Sequence, residues 1–144
     1  MLSEITDGDG NLLYFRGHEI FLKLSSGGRT RKLGEVQGET LHTFRDLRKH
    51  EMRNYLEVGF NWHLIRFGVF RYVVVHTQEG AEYHTSRKWI LRHGRINKPG
   101  RRKFELQIFL KLSDFKGFVE PEEKRLPPPP EPAQESFSFV QNVS

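Results

Sequence analysis

The chain of 144 residues carries 23 Lys and Arg against 18 Asp and Glu, a net charge of +5, with 36% hydrophobic residues and no cysteine. That hydrophobic share excludes a wholly disordered chain, and the length fits one domain. The missing cysteine excludes a disulfide framework, a thiolate zinc site, an iron–sulfur cluster and a cysteine nucleophile.

The N-terminal MLSEITDGDG lacks the basic-then-apolar pattern of a signal peptide. No apolar run approaches the ~18 residues that span a bilayer. The expectation is a cytoplasmic protein with no membrane partner. Asp7-Gly8-Asp9-Gly10-Asn11 opens like a calcium loop. Leu12 stands where the loop glycine belongs and His18 where the closing glutamate belongs, so the run reads as a turn.

Residues 11–16 and 19–24 are rich in large apolar side chains and read as strands separated by Gly17. From 41 to 58, apolar residues fall at 41, 44, 47, 52, 55 and 56. At helical pitch these fill one arc of about 180°, which predicts a long helix. Thr40 or Thr43 would cap it and Gly59 would stop it. Its opposite face would carry a row of Arg45, Lys49 and Arg53, beside a stack of His42, Asp46 and His50. Residues 61–67 read either as one or two helical turns ending at Gly68 or as an extension of the next strand.

The run VFRYVVVHT at 69–77 is β-branched and aromatic, turns at Gln78-Glu79-Gly80 and returns over 81–85. This is the strongest hairpin signal in the chain. Ser86 is placed to cap a short helix that ends at Gly94, with Trp89 and Ile90 pointing inward. Residues 103–112 alternate apolar and polar positions and predict a half-buried strand.

The expected architecture is α+β, a mostly antiparallel sheet of four to six strands packed against one long and one short helix, with a Pro-rich C-terminal tail. Six of the seven prolines lie between residues 121 and 132. The domain expected over 1–118 is therefore followed by a Pro-rich acidic linker over 119–136, of polyproline-II character, and a terminal peptide over 137–144.

Charge is distributed unevenly. Residues 83–104 hold Arg87, Lys88, Arg92, Arg95, Lys98, Arg101, Arg102 and Lys103 and no carboxylate. A polyanion relieves such crowding most efficiently, because it supplies several charges within one screening length. The leading expectation is a small basic protein that contacts nucleic-acid phosphates through this segment, with Arg45, Lys49 and Arg53 as auxiliary cations. Phe137, Phe139 and Val140 would dock a protein partner beyond the proline spacer. The alternative is an interaction or assembly protein using the basic loop and the tail.

A third reading is a metal-dependent phosphodiesterase. Two hairpin registers are open. With a three-residue loop, His76 faces Glu82, and His84 lies diagonally on the same face, which makes a weak metal site. With a two-residue loop, His84 turns to the other face. No cofactor is expected.

Overall fold

Side-chain alternation, rather than helical pitch, organises the first half of the chain. The computed structural model describes residues 4–6, 10–24, 29–96 and 105–120. Strands β1 (Glu4–Thr6), β2 (Leu12–Arg16), β3 (Glu19–Lys23), β4 (Thr30–Gln37) and β5 (Thr40–Phe44) form an antiparallel meander. The chain then leaves this sheet for β6 (Arg48–Lys49), β7 (Leu56–Asn61) and the helix α1 (Trp62–Phe67). It returns with β8 (Tyr72–His76) and β9 (Glu82–Ser86), followed by the helix α2 (Arg87–His93). Next come β10 (Arg95–Ile96), β11 (Gln107–Lys111), a 3-10 turn (Leu112–Asp114) and β12 (Gly117–Val119).

The large sheet has the order β1-β2-β3-β4-β5-β8-β9-β12, and the small sheet β10-β11-β7-β6. Every pairing is antiparallel except β5 with β8, which run parallel. The expected single sheet against a long helix is therefore wrong. The described residues are sheet-dominated, in two sheets, with two helices of six and seven residues.

The long helix expected over 41–58 is replaced by β5, β6 and β7. Gly38 at φ 61° closes the turn between β4 and β5, a conformation that costs a residue without Cβ little. In β5, Leu41 and Thr43 are buried while His42 and Phe44 face outward, which is the period of a strand. The apolar arc also included Met52, which is 84% exposed. Helical spacing was present in the sequence, but β5 pairs on both sides, with β4 and β8, and buries Leu41 and Thr43 there. Gly59, expected as a helix stop, lies within β7 opposite Phe109. A Cβ there would sit 2.5 Å from a Phe109 ring carbon.

Several local expectations hold. Residues 12–16 and 19–23 pair as a hairpin around Gly17-His18. The 69–85 hairpin forms as β8 and β9. Residues 61–67 take the helical alternative as α1, and Asn61 Oδ1 accepts from Leu64 N at 2.9 Å. Ser86 Oγ caps α2 by accepting from Trp89 N at 3.2 Å, and Gly94 follows the last turn. In β11 the three consecutive residues Ile108, Phe109 and Leu110 are buried, so the strand is covered on both faces rather than half-buried. Strand β4 was not anticipated at all.

One hydrophobic cluster draws on both sheets. Leu13, Ile20, Leu41, Val73 and Val75 come from the large sheet, and Val58, Phe60, Ile108 and Leu110 from the small one. Leu64, Ile65 and Ile90 of the helices complete it. The opposite face of β5, β8 and β9 points away from this core. No described helix is long and apolar enough to cross a membrane.

Candidate nucleic-acid interface

The four described cations of the basic segment have different surroundings. Arg95 is matched by an acid: its Nη2 lies 3.1 and 3.2 Å from the two carboxylate oxygens of Glu57. Glu57 is 1% exposed in β7, and Arg48 approaches it from β6 at 3.5 Å. Both guanidiniums also cover the Phe109 ring, at 4.7 Å for Arg48 and 5.1 Å for Arg95. This arrangement ties the two outer strands of the small sheet to its centre, so Arg95 serves the fold. Arg92 is exposed in the last turn of α2.

Arg87 and Lys88 open into a cleft of about 570 Å³ that Phe70, Arg71, Tyr72, Ser86 and Lys116 also line. Three stretches of chain converge there: the entry to β8, the β9–α2 junction and the turn before β12. The β8–β9 register aligns Tyr72 with Ser86, and Lys116 N donates to His84 O at 2.8 Å. Lys116 Nζ sits 4.6 Å over the Trp89 ring. One Arg87 Nη donates to Arg66 O, and its solvent-shielded Nε has no hydrogen-bond partner among the described residues. Arg71 is held by Glu39 at 3.4 Å, an exposed pair. No residue lining the cleft is acidic. Four cations around one concavity without a carboxylate in its wall suit an anion carrying several charges.

The proposed auxiliary row is not formed. Arg45 follows β5 and is half-buried; burial holds its guanidinium below the usual range, reinforced by Arg31 and opposed by Glu105. Lys49 is exposed in β6, and Arg53 is exposed in the loop before β7. The His42, Asp46 and His50 stack is lost with the helix. His50 Nδ1 instead accepts from the backbone of Met52 and Arg53, at 3.0 Å each. Asp46 Oδ1 accepts from Gln78 N at 3.4 Å.

The hairpin takes the register that brings His76, Glu82 and His84 to one face. His76 pairs with Glu82 and Val74 with His84. His84 Nε2 lies 3.1 Å from Glu82 Oε1, and His76 Nδ1 lies 4.0 Å from Glu82 Oε2. His76 Nε2 is turned away, 2.9 Å from Nδ1 of His42 on the neighbouring parallel strand. The lone pairs therefore run in a chain instead of meeting at a point. Among the described residues, no three His, Asp or Glu side chains are placed to hold a metal ion. Burial holds the His76 imidazole below its ordinary range, Glu82 opposes that shift, and His42 and His84 add to it.

Lys98, Arg101, Arg102, Lys103, Phe137, Phe139 and Val140 lie outside the described residues. Arg71, Tyr72 and Lys116 were not singled out as site residues in the sequence, and His42 was noted only in the helical stack that β5 replaces. The alternation of Tyr72, Val74 and His76 with Val73 and Val75 was the available signal for an outward row on β8. Its neighbours on β5, and Lys116 before β12 on the far side of β9, are set by long-range pairing. Comparison with family models, with curated proteins and with solved structures gives no match for this chain.

Proposed function

We propose that the protein binds nucleic acid, with the cleft bounded by Arg71, Arg87, Lys88 and Lys116 as its phosphate-contacting site. The observation that carries this reading is the convergence of those four cations on one concavity with no acidic wall residue. Arginine and lysine suit the task in different ways, one as a planar fork and the other as a mobile point charge. The chain that follows α2 carries a further run of cations in sequence, at Lys98 and 101–103. Arg95 is not assigned to binding, because the buried Glu57 carboxylate holds it, whereas the Arg71–Glu39 pair is exposed and therefore weak.

The test is fluorescence anisotropy of a labelled oligonucleotide across a salt series. Four phosphate contacts give a log–log salt slope of about −3 to −4. Lys88→Glu combined with Lys116→Glu is expected to flatten that slope and weaken every sequence alike, because phosphate contacts carry no base information. A slope near zero in the unaltered protein would refute the reading.

A further inference from the structure

Among the described residues, the large sheet turns one face of β5, β8 and β9 away from the core, and that face carries rings around a buried Val74. Register fixes their places. Tyr72 lies between Thr40 and Ser86, Val74 between His42 and His84, and His76 between Phe44 and Glu82. Phe44 is 62% exposed and Tyr72 48% exposed. The ring of His76 lies 5.2 Å from Phe44 at 26°, and 5.2 Å from His42 at 24°. These near-parallel rings form a short row, with His42 and His76 edge to edge through their 2.9 Å nitrogen contact, and Phe44 is its most exposed member.

Tyr72 and His76 are four residues apart along β8, about 13 Å on a strand. The Tyr72 end opens directly into the cationic cleft, since Tyr72 is part of its wall. At the other end the charge is negative: Glu82 lies 3.1 Å from His84 Nε2 and 4.0 Å from His76 Nδ1. Glu35, beside His42 on β4, is bound to Lys32 at 2.6 Å. The face therefore combines exposed rings with positive charge concentrated at one end.

We infer that this sheet face is a stacking platform for single-stranded nucleic acid, with bases on Tyr72 and the Phe44–His76–His42 rings and phosphates in the adjoining cleft. The inference rests on the nucleic-acid reading above and adds the strandedness of the ligand. In a duplex the bases are stacked on one another, and their flat faces are closed to protein rings. Unpaired bases offer those faces, and stacking on aromatic side chains then adds to the backbone electrostatics. Charge complementarity selects this occupant over an apolar peptide, which would gain nothing from four cations at the end of its path.

The deciding experiment is anisotropy with one labelled oligonucleotide, free and annealed to its complement, with DNA and RNA as separate arms. The single strand of at least one kind is expected to bind about tenfold or more tightly than its duplex at equal salt. Phe44→Ala and Tyr72→Ala are each expected to weaken single-strand binding about five- to hundredfold with the salt slope unchanged, while Tyr72→Phe retains affinity. Both side chains are exposed, so circular dichroism should show the fold intact. Duplex binding as tight as single-strand binding, or indifference to both alanine substitutions, overturns the platform and leaves the cleft reading standing. Failure of every oligonucleotide to bind removes the cleft reading, and the platform with it.

Discussion

Glu57 shows how one side chain can redirect the meaning of its neighbours. It is acidic, 1% exposed and central in the small sheet, and Arg48 and Arg95 both spend their charge on it. A buried carboxylate is tolerated only when paired and hydrogen-bonded. Glu57→Gln keeps the shape and removes the charge, and is expected to lower stability by about 1.5–3 kcal/mol, read from the urea midpoint. His76 makes a second residue-scale case. Its folded pKa lies below the ordinary 6.5, chiefly through burial. The unfolded chain therefore binds the proton more readily, so the stability it contributes is complete above about pH 6.5 and is lost as pH falls through the folded value. The urea midpoint is expected to fall between about pH 7.5 and about pH 5, and His76→Gln should reduce that dependence. An unchanged pH profile in the variant would assign the titration elsewhere.

At the scale of elements, the local signals were legible where they were short. Ser86 and Gly94 bracket α2 as their residue types suggest, and the β-branched run of β8 turns and returns on schedule. The largest failure is at 41–58, where apolar spacing matched a helix while long-range pairing favoured strands; β4 and the second sheet were also missed. Gly59 records the outcome. It permits the Phe109 ring to lie against β7, and Phe109 in turn supports the Arg48 and Arg95 guanidiniums. Gly59→Ala would place a methyl 2.5 and 2.9 Å from ring carbons. It is expected to cost about 1–3 kcal/mol by overpacking, measured by chemical denaturation. A neutral result would show that the ring can shift without loss.

For the molecule as a whole, the common core is what joins the two sheets. Leu41, fully buried in the large sheet, belongs to the same cluster as Val58 and Leu110 of the small sheet. Leu41→Ala is expected to lower stability by about 2–5 kcal/mol. Tryptophan fluorescence, reporting Trp62 and Trp89, and far-ultraviolet circular dichroism should follow one coincident transition. Two separated transitions would show that the sheets unfold independently. The cleft exists only at this scale, since Arg71, Arg87 and Lys116 are brought together by the β8–β9 pairing and by β12 beside β9.

The short-range features were legible in the residues alone: the hairpin of residues 72–86, the capped turn of helix at 87–93, and a concentration of positive charge after residue 86. Each follows from residue types within a few positions of one another, where backbone sterics and capping act. Which cations line the cleft, and which, like Arg95, are held by a buried acid, follows from long-range packing. The same packing placed His42 beside His76, through a parallel pairing between strands 34 residues apart at these positions. Charge and ring chemistry can be counted along a chain, but whether they converge depends on pairings between distant segments, which no local window contains.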